Sequence, residues 1–168
     1  VSLPVLSGIA CAKTSPLFAA GLEGAALITG GDEAAQLAAR TCGHRLGLAF
    51  QVRDDLLDII GTKGRGDAGS DLREGKPTWP LLAACETAPP GEIEALRSLL
   101  RMAAAGTPPD EETVQRWVAW VGDKGGVDRA KAALQDALEE AEELGKSAFP
   151  LAHSVVSELC ERLGKLDG

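Results

Sequence analysis

Residues 47–58 read GLAFQVRDDLLD, a mainly apolar segment that contains three aspartates in a span of five residues. Four polar side chains of this stretch share one face of a helix: Gln51, Asp54, Asp55 and Asp58. Their spacing is i, i+3, i+4 and i+7. No Lys or Arg stands three or four residues from an aspartate, so the helix offers no charge compensation at that spacing. Clustered carboxylates suit magnesium. The stretch therefore predicts a helical cation site, with an acidic surface patch as the alternative.

Two neighbouring segments favour the cation site because they add groups that suit an anion. Residues 61–80 read GTKGRGDAGSDLREGKPTWP, a glycine-rich run in which a backbone can approach an anion and interleaved cations can neutralise it. Upstream, residues 13–16 read KTSP, where the proline ends one helix and starts another. A helix start beside a lysine and two hydroxyls suits an anion as well. The three segments together predict one phosphate-and-metal site.

These motifs resemble those of the trans-isoprenyl diphosphate synthases, or polyprenyl synthetases. The resemblance covers residues 1–85 and rests on three ordered motifs: Lys13-Thr14, the run from Gly47 to Asp58 and the run from Gly69 to Pro80. It implies an all-α helical bundle, the C-terminal half of the isoprenoid synthase fold. Two Asp-rich motifs face each other in that fold and hold Mg²⁺ against an allylic diphosphate. This chain carries the second motif.

The resemblance also implies roles for individual residues. Magnesium is expected on Asp54, with Asp55 and Asp58 as second ligand or outer-shell support, and the full set of implied metal ligands is Asp54, Asp55, Asp58 and Asp71. The implied diphosphate-binding set is Lys13, Thr14, Gln51, Lys63, Arg65 and Lys76. The implied catalytic set is Lys13, Thr14, Gln51, Asp54 and Lys76. The implied reaction is ionisation of the allylic diphosphate, attack by isopentenyl diphosphate and loss of a proton.

Two departures from the family pattern shape the expectation. The first Asp-rich motif is absent, so we expect activity only with a chain or segment that carries it, and we expect an oligomer. The chain begins at Val1 and has a single methionine, Met102, which suggests an internal fragment, a processed product or a subunit started at GTG. The family usually has Gly-Lys where this chain has Gly66-Asp67. Lys63 or Arg65 substitutes for that lysine, or the diphosphate contact is weaker.

Composition bounds the class of protein. The length of 168 residues is enough for one core, and we expect a single helical domain over residues 1–168. A net charge of −8 argues against a nucleic-acid partner. No apolar run reaches the roughly 18 residues of a membrane span, and we expect a cytoplasmic protein. Four widely spaced cysteines predict reduced thiols.

Proline and glycine breaks divide the chain into helices predicted at about 1–12, 16–29, 33–60, 78–87, 91–105, 110–122, 127–147 and 150–164. The segment from Gly61 to Pro77 is predicted to be a loop. Gly43 and Gly47 lie four residues apart on the longest helix, and we expect a neighbouring helix to pack closely there.

Two other functional classes stay open. A class I terpene cyclase needs Asn or Asp, then Ser or Thr four residues on and Glu eight residues on. Asp54 is followed by Asp58 and Thr62, and the chain has no asparagine, which argues against a cyclase. A non-catalytic regulatory or structural subunit of a synthase is the second alternative. The intact aspartate stripe argues against it, because a purely structural subunit has no need of the repulsion.

Overall fold

The structure, a computed structural model, describes residues 2–61 and 68–166, and within them it contains α-helices and no β-strand. The helices of the described residues are α1 (Leu3–Lys13), α2 (Ser15–Ile28), α3 (Glu33–Ile60), α4 (Ser70–Arg73), α5 (Trp79–Cys85), α6 (Pro90–Ala104), α7 (Glu111–Asp123), α8 (Gly126–Ala148) and α9 (His153–Gly164). The all-α prediction is confirmed, and each predicted helix is present with ends displaced by a few residues at most. The predicted loop between Gly61 and Pro77 is corrected by α4, a single turn of helix within it.

Proline and aspartate explain where several helices begin. Pro16, Pro80 and Pro90 lie in the first turns of α2, α5 and α6, where a missing N–H costs no intrahelical hydrogen bond. Asp110 caps α7, and its Oδ1 accepts a hydrogen bond from the backbone N–H of Thr113 at 2.8 Å. These local signals are readable from the sequence, which is why the predicted ends hold.

The described residues form two compact units, and α3 contributes to both. The first unit holds residues 2–6 and 54–131, and the second holds residues 7–53 and 132–166. The prediction of one domain over residues 1–168 stays a prediction.

The first unit is built around an aliphatic cluster that α3 shares with α4 to α7. Its buried members are Ile59, Leu72, Leu81, Ala84, Leu96, Val114 and Val121. Trp117 and Trp120 pack against this cluster, and their ring centroids are 4.9 Å apart in an edge-on arrangement. The cluster anchors the C-terminal end of α3 and the short helices that follow it.

In the second unit, α2 and α3 approach each other closely at two glycines. A β-carbon on Gly43 would overlap the backbone of Ala19, and a β-carbon on Gly47 would lie 2.5 Å from the Cα of Ser15. Ser15 is fully buried there, and its hydroxyl donates to the carbonyl oxygen of His44 at 3.3 Å. The predicted packing role of the two glycines is confirmed.

No helix in the described ranges is both long and apolar enough to cross a membrane.

Candidate active site

The aspartates of α3 have separate hydrogen-bond partners, although their spacing suggests one shared role. Asp55 is buried, with 4% of its surface exposed, and its Oδ2 accepts a hydrogen bond from the backbone N–H of Trp79 at 2.8 Å. Trp79 is the first residue of α5, where N–H groups have no acceptor within the helix. Asp55 supplies an acceptor that the preceding residue, Thr78, does not provide with its own side chain.

Asp58 makes an equivalent set of contacts with α4. Its Oδ1 accepts hydrogen bonds from the backbone N–H and the hydroxyl of Ser70, at 2.9 and 2.5 Å, and its Oδ2 lies 3.3 Å from the backbone N of Asp71. The carbonyl oxygen of Asp58 also accepts from the N–H of Gly69 at 2.9 Å. Asp58 therefore caps the helix turn that the sequence reasoning missed.

Lys76 lies between α4 and α5 and is held by Asp71. Its backbone N–H donates to the carbonyl oxygen of Asp71 at 2.9 Å, and its Nζ lies 3.1 Å from Asp71 Oδ1 and 2.6 Å from Glu74 Oε2. The hydrogen bonds to Glu74 and Asp71 raise the pKa of Lys76 above its ordinary value. Burial raises the pKa of Asp71, and the hydrogen bond from Lys76 opposes that shift. The Lys76 side chain is still 56% exposed and can reach a ligand.

The second unit holds the other predicted anion-binding residues of the described chain. Lys13 ends α1 and is exposed, and Thr14 is half-buried between α1 and α2. The contact of Ser15 with Gly47 fixes this break against α3, one turn before the half-buried Gln51. Packing of α2 on α3 thus decides where Lys13 and Thr14 lie within this unit.

Three positions of the predicted site, Lys63, Arg65 and Asp67, lie outside the described residues. Their predicted roles stay predictions.

The described residues contain no group of three or more His, Cys, Asp or Glu side chains that could hold a metal ion. The hydrogen bonds give the reason, because Asp55 and Asp58 point toward backbone groups 24 and 12 residues further along the chain. Magnesium does not require such a group of protein ligands, because it keeps several of its water ligands. One or two carboxylates and the phosphates of a substrate complete its coordination shell. Half-buried Asp54 offers oxygen ligands of the right kind for that arrangement.

Ser70 is the site residue whose role the sequence reasoning missed. Its hydroxyl and N–H both donate to Asp58, so it links the glycine-rich run to the aspartate run. A serine that directly follows a glycine at the start of a short polar stretch is a usable signal for a helix start. The four-residue length of α4 hid it, because periodicity cannot be measured over one turn.

The sequence model of the polyprenyl synthetase family matches residues 3–119, which include both the aspartate run and the glycine-rich run. The chain belongs to the polyprenyl synthetase family.

Individual relatives are similar to this chain over most of its length or over part of it. The all-trans-nonaprenyl-diphosphate synthase (geranyl-diphosphate specific) of Rhodobacter capsulatus is 36% identical over 144 residues, which are 82% of this chain and 42% of that protein. The heptaprenyl diphosphate synthase component 2 of Geobacillus stearothermophilus is 40% identical over 74 residues, 43% of this chain and 23% of that protein. The fold matches the crystal structure of a polyprenyl synthase from Caulobacter crescentus CB15 complexed with calcium and isoprenyl diphosphate. That match has a TM-score of 0.82 and 32% identity, and it covers 98% of this chain and 50% of the other.

The relatives that match most of this chain are thus about twice as long as it is. The chain spans about half of their length.

Proposed function

We propose that this chain is the part of an isoprenyl diphosphate synthase that carries the second Asp-rich motif, and that it works with a chain or segment that carries the first. The reaction is magnesium-dependent ionisation of an allylic diphosphate followed by condensation with isopentenyl diphosphate. The observation that carries the proposal is a chain of hydrogen bonds from Asp58 to Asp71 and from Asp71 to Lys76. These hydrogen bonds connect the acidic motif of α3 to the ammonium group of Lys76.

The residues of this chain act on the diphosphate through charge and position. Lys76 presents a protonated ammonium group to the leaving diphosphate, and Asp71 and Glu74 hold that group in place. Asp54 supplies a carboxylate for the cation, and Lys13, Thr14 and Gln51 bind the same diphosphate or the water shell of the cation. When bound, magnesium acts as a Lewis acid that stabilises negative charge on the departing diphosphate. The relative crystallised with calcium and isoprenyl diphosphate supports a divalent cation and this ligand class.

An uncharged face of α2 supports the need for a partner. Leu17, Gly21, Gly24 and Ile28 lie at i, i+4, i+7 and i+11 of this helix. Leu17 and Ile28 are 80% and 87% exposed, and a β-carbon on either glycine would meet no atom within 4 Å. Soluble monomers rarely leave such apolar surface uncovered. Because the relatives have about as many residues again, we assign this face to the chain or segment with the first motif.

A reconstitution experiment tests the proposal. The chain is purified alone and together with a co-expressed chain that carries the first Asp-rich motif, and each preparation is assayed with labelled isopentenyl diphosphate, an allylic diphosphate and Mg²⁺. We expect elongation only from the assembly. Asp54→Ala should lower its turnover on the order of 100-fold, the usual effect of removing one group that stabilises transition-state charge. Asp136→Ala, at an exposed position of α8, is the matched control and should leave turnover unchanged.

Three results would contradict parts of the proposal. Elongation by the purified chain, monomeric by sedimentation, would contradict the need for a partner. Full turnover of the Asp54→Ala assembly would contradict the role of Asp54. A stable assembly whose turnover depends on none of Asp54, Gln51 and Lys76 would favour the non-catalytic subunit.

A further inference from the structure

We propose that Asp55 and Asp58 are positioning residues that hold the Lys76 loop from both ends, rather than direct ligands of the reacting groups. The Lys76 loop is defined as residues 74–78, between α4 and α5. Asp58 binds the start of α4, the helix before the loop, and Asp55 binds the start of α5, the helix after it. Two carboxylates three residues apart on α3 thus fix both flanks of the segment that carries the cation.

The start of α4 needs an external acceptor because its own cap has none. Gly69 occupies the N-cap position with a φ of 83° and has no side chain to accept a hydrogen bond. A helix of four residues is too short to be stable by itself. Asp58 provides the missing acceptor for the N–H groups of Ser70 and Asp71. Without the Asp58 carboxylate, the turn that carries Asp71 keeps the backbone hydrogen bond of Gly69 and the packing of Leu72, but it loses its side-chain hydrogen bonds to α3.

The start of α5 has the same need. Thr78 is its N-cap residue, but the Thr78 side chain makes no capping hydrogen bond, and its buried hydroxyl has no partner among the described residues. The buried carboxylate of Asp55 accepts from the N–H of Trp79 instead. Burial of a carboxylate is costly unless it is hydrogen-bonded, so the hydrogen bond from Trp79 helps to offset the cost of burying Asp55.

Between these two anchors the loop has little freedom. Gly75 adopts a φ of 72° against α6, and Pro77 has a restricted φ. Lys76 is bound to Asp71 through both its backbone N–H and its ammonium group. The direction of the ammonium group therefore depends on Asp71 together with Glu74, and the position of Asp71 depends in turn on Asp58. The inference rests on the proposed function to the extent that Lys76 must bind a diphosphate.

The test compares two variants of Asp58 that separate charge from hydrogen bonding. Asp58→Asn keeps an oxygen for Ser70 but loses the negative charge, whereas Asp58→Ala loses both. If Asp58 positions the loop, Asp58→Ala should lower kcat/KM of the assembled enzyme roughly tenfold or more, and Asp58→Asn should stay within about threefold of wild type. Amide exchange, followed by NMR, should accelerate roughly tenfold at Ser70 and Asp71 in Asp58→Ala, whereas in Asp58→Asn it should accelerate much less at Ser70, whose acceptor oxygen is kept.

A double-mutant cycle with Lys76→Ala shows whether Asp58 acts through Lys76. In the Lys76→Ala background, Asp58→Ala should cost about twofold or less, because the group that it positions is already gone. The control is Asp110→Ala, which removes an equivalent cap from α7 in the same unit and should be additive with Lys76→Ala. Binding of inorganic pyrophosphate with Mg²⁺ to the assembly should show the same pattern.

Several outcomes would overturn the positioning role. Equal losses in Asp58→Asn and Asp58→Ala with unchanged amide exchange would assign Asp58 to charge, as a metal ligand. Full additivity with Lys76→Ala, or faster exchange without loss of kcat/KM, would also overturn it. An inactive wild-type assembly that still binds pyrophosphate would instead refute the proposed function, and the pyrophosphate cycle would still decide the positioning role.

Discussion

Gly75 precedes Lys76 and has no room for a β-carbon, so Gly75→Ala should destabilise the first unit. The glycine has a φ of 72°, which costs a non-glycine residue roughly 1–2 kcal/mol. An added β-carbon would overlap the carbonyl oxygen of Leu100 and lie 2.5 Å from the backbone N of Ala104. These are backbone atoms of α6 that cannot rotate away, which adds roughly 1–3 kcal/mol. After a gain of about 0.5 kcal/mol from the less flexible unfolded chain, the free energy of unfolding should fall by about 1.5–4.5 kcal/mol.

Gly106→Ala is the matched control for this prediction. Gly106 also follows a helix and has a φ of 89°, but a β-carbon there would meet nothing within 4 Å. Its loss should be about 1 kcal/mol, from backbone conformation alone. Urea unfolding followed by tryptophan fluorescence measures both variants, because all three tryptophans lie in the first unit. Equal losses in the two variants would refute the contact with α6, and a loss below about 1 kcal/mol in Gly75→Ala would refute the whole estimate.

Two further predictions concern the second unit. Leu17→Glu should weaken assembly with the chain that carries the first Asp-rich motif, as measured by co-purification and sedimentation. The control is Leu151→Glu, at a fully exposed position after α8, which should leave assembly unchanged. Equal assembly of both variants would contradict the assignment of the α2 face. Burial raises the pKa of Cys42 to about 12. At pH 8.5, iodoacetamide should therefore leave this thiol unmodified in the folded chain and modify it in urea, as followed by mass spectrometry. Rapid modification without urea would contradict the burial of Cys42.

The raised pKa of Cys42 also makes the stability of the fold depend on pH. The folded thiol holds its proton more tightly than the unfolded thiol, so the free energy of unfolding should fall as the pH rises above about 9, the ordinary value.

Local chemistry made much of the fold predictable from the sequence. Prolines at the starts of α2, α5 and α6 and the cap at Asp110 act within one helix turn, so their effects can be read from neighbouring residues. Glycines four residues apart on α3 similarly predicted the close approach of a neighbouring helix, because two missing side chains on one helix face leave room for it, and the structure shows that this helix is α2. The order of three motifs was enough to identify the family.

The separate roles of the aspartates could not be predicted because they depend on distant partners. Helical spacing puts Asp55 and Asp58 on one face with Asp54, and that spacing gives all of them equal claim to a cation. Only the return of the chain, which brings Ser70 and Trp79 back to α3, shows that Asp55 and Asp58 accept backbone hydrogen bonds. The one-turn helix α4 was missed for the same reason, since its cap lies 12 residues away. The sequence therefore predicted which residues form the site, and the tertiary structure decided what Asp55, Asp58 and Lys76 contact.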